Sequence, residues 1–375
     1  MIAEELIKIR LHVFSPVHIG CGEVYEPTSF VVDDQNNKLL FFDPFDFISS
    51  LNKSDKEEFS KICTNGNILE VYKFIKPKFN KSIRHQEVDI TEELVKEYNK
   101  IQFLSTYDKK LVINNFIINR TAYNPQTNAP YIPGSSLKGA IRTAYLNALA
   151  LENTQKYERN NPKKLEEQLL KGEFSTDPFS MIKVSDLVPM TNVKKRILYA
   201  INKKLYSVGS KLYADRGPNQ IFEVIYPDSS FEGFINIIKP PPERGIKVPI
   251  TKKSLFVSLN KHYLPLLEKE TKKLKDINIL SFVIKNIKDR FKDQISKNDS
   301  LNKCYIVRLG QHSGAEAVTI KGYRNIKITK GRSHYEYKDS PTTIWLASDK
   351  KKPEPNLNNQ ITDLTPFGWA VIEIM

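Results

Sequence analysis

The sequence predicts an α+β protein, and three observations near its start carry that prediction. Ile7, Ile9, Leu11 and Val13 alternate with Lys8, Arg10 and His12, the period of two that a half-buried strand requires. Ser29 to Val32 and Lys38 to Phe42 flank the turn-forming cluster Asp33-Asp34-Gln35-Asn36-Asn37, as the arms of a hairpin do. Asp43-Pro44 then supplies an N-cap and an N1 proline for a helix that turns Phe45, Phe47, Ile48 and Leu51 inward.

The same mixture continues along the chain. Helices are expected at Thr91 to Gln102, from Gly134 to about Leu151, and from Asn161-Pro162 to Gly172. Strands are expected at Leu111 to Asn119 and Ile182 to Asp186, and a hairpin at Ile221 to Tyr226 and Phe231 to Ile238. Lys194 to Arg216 holds seven basic residues and one acid with weak apolar spacing, which reads as an exposed basic arm. Pro240-Pro241-Pro242 is a stiff connector and marks the expected boundary between residues 1–239 and 240–375. Beyond it, Ile277, Leu280, Ile284, Ile287, Phe291 and Ile295 predict one amphipathic helix over 261–297, followed by short strands ending at Trp369 to Ile374.

Composition narrows the function. Lys and Arg number 57 against 43 Asp and Glu, a net charge of +14 that favours an anionic partner. Cys21, Cys63 and Cys304 match neither a disulfide framework nor a metal-ligand spacing, so no metal or other cofactor is expected. The absence of a long apolar run or of an apolar leader near the acidic start argues against a membrane partner and for the cytoplasm.

Three segments could hold that anion. In Tyr131 to Arg142 a Pro-Gly turn feeds Ser135 and Ser136 and then a helix whose first amides lack intrahelical partners. Ser135, Lys138 and Arg142 are spaced to line one polar face, while Leu137, Ala140, Ile141 and Ala144 line the buried one. Gly134 forms the turn, and Gly139 would let a phosphate or sugar approach the helix closely. An ordinary serine-capped helix with two solvated cations fits the same residues. The loop His18-Ile19-Gly20-Cys21-Gly22 reads either as backbone amides facing a phosphate or as a plain glycine turn. In the third segment Arg308, Gln311, His312 and Gly314 precede Lys321 and Arg324, and residues 301–338 hold eight basic residues and two acids, suited to a nucleic-acid backbone or to a solvated hairpin. Lys194, Lys195 and Arg196 of the arm are weaker candidates.

The Tyr131 to Arg142 segment lacks the GxxxxGK[ST] phosphate loop, which argues against nucleotide hydrolysis. It resembles the signature of RAMP-superfamily CRISPR-associated proteins. His18 to Gly22 and Ile182 to Asp186 fit that family in the expected order. The Phe30 to Phe47 hairpin is similar to the start of the fifth Csm subunit, which terminates the type III-A effector. The motifs cover residues 7 to 190, about half the chain. The resemblance implies tandem or decorated ferredoxin-like (RRM-like) units with helical insertions. It implies a structural subunit that caps the 3′ side of the guide RNA (crRNA) and docks on the last backbone RAMP subunit. It leaves open contact with the small helical subunit and with host nucleases that trim the guide.

A nuclease is not expected. His312 and His334 with Tyr335 and Tyr337 are residue types that can move protons, but six histidines form no cluster signal. The His18 to Tyr25 loop has Glu23 and lacks the aspartate with which the backbone subunit cuts target RNA. The rival readings are a backbone or 5′-side subunit, which would carry that aspartate, and a stand-alone endoribonuclease that processes precursor guide RNA, which would carry an early catalytic histidine.

Overall fold

The computed structural model describes residues 4–101, 103, 117–153, 161–190, 192–205, 220–274, 278–291, 294–295, 303–330, 334–353 and 364–375. Elements are numbered in chain order among these residues. The expected strand at Leu111 to Asn119 lies largely outside them; its end is β6 (Ile118–Thr121).

One six-stranded sheet is built around β1 (Glu4–Val13), which pairs antiparallel with β11 (Ser230–Ile238) on one side and β17 (Trp369–Ile374) on the other. β12 (Cys304–Arg308) extends the sheet beyond β17, and β7 (Ile182–Val184) and β8 (Val188–Pro189) pair with β11, all antiparallel. The alternation read in β1 is the cause: Ile7, Ile9 and Leu11 enter the core while Lys8 and Arg10 face out and pair with Glu232 of β11. That core is covered by α5 (Gly134–Glu152), α6 (Pro162–Leu170), α7 (Lys252–Lys273) and α8 (Asn278–Phe291), which contribute Leu137, Ile141, Leu169, Leu259, Tyr263 and Ile287.

The second sheet has the order β2 (Gly20–Val24), β6, β10 (Gln220–Ile225), β9 (Lys195–Lys204), β5 (His85–Asp89), β4 (Lys38–Phe42), β3 (Phe30–Asp33). β15 (Thr343–Ser348) pairs with β9 and β16 (Leu364–Pro366) with β15. Its cores are filled by aromatic residues such as Phe30, Tyr72 and Tyr98, with α1 (Pro44–Ser50), α2 (Lys53–Thr64), α3 (Ile68–Lys78) and α4 (Glu92–Ile101) packed around them. A separate hairpin, β13 (Ile326–Thr329) with β14 (Tyr335–Lys338), pairs with neither sheet.

Three expectations are corrected. The segments Ile221 to Tyr226 and Phe231 to Ile238, expected as a hairpin, do not pair with each other: β10 pairs with β9 and β6 in the second sheet, and β11 with β1 and β7 in the first. The described part of the basic arm, Lys194 to Leu205, is mostly strand β9, whose Ile197, Tyr199 and Ile201 face one core and Leu198 and Ala200 another. Burial on both faces erases the alternation that would have marked it as a strand; residues 206–219 lie outside the described residues. The single helix over 261–297 is two helices: a capping box between Thr251 and Ser254 starts α7 earlier, and α7 ends at Lys273, with Leu274 as its C-cap, before α8 begins. Strands from both sides of Pro240 share each sheet: β12 and β17 complete the first, and β15 and β16 join the second.

Two sequence motifs meet at the start of α5. Ile132 and Leu187 exchange backbone hydrogen bonds of 3.1 and 2.9 Å, and the Gly134 amide donates to Asp186 Oδ1 at 2.7 Å. A Cβ on Gly134 would lie 2.3 Å from the Val184 carbonyl oxygen, whereas one on Gly139 would meet nothing within 4 Å. Gly134 thus serves the fit of helix to strand. Gly134→Ala is expected to destabilise by about 1–3 kcal/mol or more through backbone overpacking, and Gly139→Ala to stabilise by up to about 1 kcal/mol through helix propensity. Urea unfolding of the two variants checks the opposite signs.

Candidate nucleic-acid interface

An open groove of about 400 Å³ brings together parts of all three candidate segments: Ile19 and Gly20, then Ser136, Gly139 and Thr143 of α5, then Gly310, Gln311 and Ser313 of the loop after β12. Gly310, with φ +81°, passes so close to the first loop that a Cβ there would lie 2.3 Å from the His18 carbonyl oxygen. The same carbonyl accepts a 2.8 Å hydrogen bond from the Gln311 amide, which locks the two loops together.

Buried polar groups hold these loops. The His18 side chain is buried, donates from Nδ1 to the Glu223 carbonyl at 2.8 Å, and packs 4.4 Å from the Phe222 ring. Burial pushes its pKa below the ordinary histidine value. The Glu223 carboxylate is fully buried; it accepts from Tyr25 Oη at 2.7 Å and the Thr121 amide at 3.1 Å, and pairs with Lys195 Nζ at 2.9 Å. On the other wall, Arg308 grips Glu270 of α7 through two hydrogen bonds of 2.9 and 3.0 Å, donates to the Phe367 carbonyl, and lies over Trp369. Trp369 Nε1 donates to Glu270 as well, at 2.9 Å.

Most of the expected RNA-contacting cations are therefore committed within the protein. Arg142 pairs with Glu166 at 2.7 Å and Asp177 at 2.8 Å across α5 and α6 and does not stand as a solvated cation. Arg308 is neutralised by Glu270, Arg324 by Glu316 at 2.9 Å, Lys195 by Glu223, and Arg196 by Asp349 at 2.9 Å. His18 and His312 present no charge either. His312 stacks on Trp345 at 4.4 Å, its Nε2 lies 3.2 Å from Gln220 Oε1, and burial chiefly, with His18 second, lowers its pKa to about 4.

Other candidates remain toward solvent. Lys138 has no ion-pair partner among the described residues and is half-buried, and its pKa is lowered by desolvation first and by Lys183 second. Lys194 is exposed and engages Tyr226 only through its backbone carbonyl; Lys321 is exposed and its amide donates to Asn147 Oδ1 at 2.8 Å. Ser135, Gly22 and Gly314 are exposed as well, with the two glycines at φ +83° and +86°. The anion position at the helix start is taken by Asp186, so the Gly134 amide is not open to a phosphate. Thr143 and Ser313 were not foreseen as lining residues, and nothing in their local sequence marks them. No group of three metal-ligating side chains occurs among the described residues, and none of the described helices is long and apolar enough to cross a membrane.

A family model of the RAMP superfamily matches residues 10–314, a span that contains all of the groove's lining but Val318. The chain belongs to the RAMP superfamily. This RAMP protein is 26% identical over 197 residues to the "CRISPR system Cms protein Csm5" of Methanocaldococcus jannaschii, a match that takes in 48% of this chain and 42% of the relative. With the protein of the same description from Streptococcus thermophilus it shares 28% identity over 203 residues, 51% of this chain and 53% of that one. The matched segments thus span about half the length of these curated relatives. In fold it is similar to a chain of the cryo-EM structure of a Csm-crRNA-target RNA ternary complex of a type III-A CRISPR-Cas system, with a TM-score of 0.61, 18% identity, and coverage of 98% of this chain and 100% of that one. The crystal structure of Csm5 from T. onnurineus matches with a TM-score of 0.52 and 16% identity over 82% of this chain and 92% of the other.

The packed histidines make stability pH-dependent. His312, and His262, which donates from Nε2 to the Ala317 carbonyl, both have folded pKa values near 4, chiefly through burial. An unfolded histidine titrates near 6.5. Between these values the unfolded chain binds more protons, so their contribution is complete above about pH 6.5 and is lost as pH falls toward 4. Urea unfolding across this window should show the loss, and a folded His312→Gln variant should show a shallower slope.

Proposed function

We propose that this RAMP protein is the guide-RNA-binding structural subunit that caps the crRNA 3′ side of a type III-A Csm interference complex. In this reading it docks on the last backbone subunit and supports crRNA maturation and effector assembly. The observation that carries the reading is the convergence of the His18 loop, α5 and the Gly310 loop on one groove of glycine, hydroxyl and amide groups. Such a surface suits a sugar-phosphate backbone, which can press against glycine and take hydrogen bonds from Ser136, Gln311 and Ser313. Lys138 supplies charge beside it. The similarity to Csm5 proteins supports the choice of subunit.

The finer fold assignment follows the same logic. We read the first sheet as a ferredoxin-like, RRM-like unit: its order β17-β1-β11-β7 is antiparallel throughout, and the chain passes from β1 to β7 by way of α5 and from β11 to β17 by way of α7 and α8. We further propose that the protein binds RNA without cutting it, a reading supported by the burial of His312 among Phe222, Trp345 and Phe367.

Gly139→Glu places a charged side chain on the open groove wall without touching the core. It should leave thermal unfolding near wild type and weaken binding of single-stranded guide RNA by at least about tenfold. Lys138→Glu should also flatten the salt dependence, by a slope of roughly 0.7 for one lost phosphate contact. Wild-type protein should leave labelled guide and target RNA intact with or without divalent metal. Unchanged affinity in a folded Gly139→Glu variant, or cleavage that His334→Ala abolishes, would overturn the reading.

A further inference from the structure

The β13–β14 hairpin has two unlike faces. In its register Lys327 opposes Tyr337 and Thr329 opposes Tyr335, so these four side chains share one face; Ile326, Ile328, Glu336 and Lys338 share the other. The second face is the anchored one. Ile326 and Ile328 are half-buried and close over a cavity of about 220 Å³ that Leu266, Ile344 and Trp345 also line. The first face is open, with Tyr335 56% and Tyr337 55% exposed.

A single exposed aromatic, such as Phe45, Phe103 or Phe174 here, calls for no explanation. Two tyrosines at positions i and i+2 of one strand, with a cation between them and the facing strand, are a different arrangement. Their ring centroids are 5.7 Å apart, and the Lys327 ammonium stands 4.2 Å from the centre of the Tyr335 ring. No carboxylate pairs with Lys327 among the described residues, while Glu336, on the opposite face, is engaged by Lys330 at 2.7 Å and Lys338 at 2.8 Å. The open face therefore offers aromatic rings and positive charge, with its one acid turned away. The hairpin also adjoins the groove, because Arg308 and Ser313 line both the groove and the cavity beneath the hairpin.

We infer that Tyr335, Tyr337 and Lys327 form a stacking platform for unpaired RNA bases where the strand leaves the groove. Stacking of bases on aromatic rings tolerates any sequence, since every base has a π-face, and a nearby cation answers the phosphate between two stacked nucleotides. This rests on the groove reading for the path of the strand, and it adds base contact to a groove that touches only backbone.

The test uses the full chain and single-stranded RNA carrying 5-iodouridine at successive positions. Photocrosslinks are expected to map to the peptide containing Tyr335 and Tyr337. Tyr335→Ala with Tyr337→Ala should weaken binding about tenfold, while the corresponding Phe pair, which keeps both π-faces, should bind within about twofold of wild type. RNA made abasic at the crosslinking positions should bind wild type and the Ala pair equally. An Ala pair that binds like wild type, or crosslinks that avoid this peptide, would overturn the platform. So would an Ala pair that binds RNA normally but no longer copurifies with other subunits, which would make this face a protein-docking surface. Gly139→Glu separates the two readings: weak binding there with an unaffected Ala pair overturns the platform and keeps the groove, and the converse overturns the groove and keeps the platform.

Discussion

One buried carboxylate, that of Glu223, fixes the part of this fold on which the groove depends. An ionised group removed from water is costly unless it is paired and fully hydrogen-bonded. Lys195, Tyr25 and the Thr121 amide meet that requirement, so strands β9, β2 and β6 must all be in place around β10 for the carboxylate to be tolerated. The carbonyl of the same residue receives the His18 imidazole, and the His18 carbonyl receives Gln311. Both loops that wall the groove are thus positioned, in sequence, from one buried site. Neutralising Glu223 would leave Lys195 largely desolvated and unpaired, and the consequences would spread to a surface Glu223 never touches.

A second constraint explains why a chain of net charge +14 has so little free charge at its groove. The arginines there are used as cross-braces: Arg142 ties α5 to α6, and Arg308 ties α7 to β12 and, through Trp369, to β17. Planar guanidinium groups suit that use because they satisfy carboxylates bidentately when water is excluded. Apart from Arg308, which Glu270 neutralises, what faces the groove is uncharged. Shape and hydrogen bonding would then determine the fit there, and attraction from the wider positive field would determine how quickly a strand arrives.

Much of the fold was legible in the sequence where one face of an element is wet. β1, the β3–β4 hairpin, α1 and α5 all follow patterns of period two or 3.6, or caps, that need only local sequence, whereas β10 and β11 were legible as strands but not in their pairing, which takes them into different sheets. β9 was hidden because both its faces are buried and its flanking lysines dominated the composition. The candidate site was legible as three segments but not as a set of contacts. Arg142, Arg308 and Arg324 read as solvent cations because their carboxylate partners lie 8 to 38 residues away in the chain. Gly134 was read as the turn that opens the helix, although its lack of a side chain also accommodates the Val184 carbonyl, a neighbour that only the tertiary fold supplies.

The pairing of β17 with β1 has a consequence for how the molecule comes into being. Arg10 and Glu373 stand opposite each other at the heart of the first sheet, so its central strand lacks one neighbour until β17 has left the ribosome. Loop closure on that scale is slow, and an exposed strand edge invites association with other chains in the meantime. Gly368, just before β17, receives the Leu309 amide at its carbonyl, which ties the Gly310 loop to the same late event. The third wall of the groove is therefore held in place only once β17 has joined the sheet.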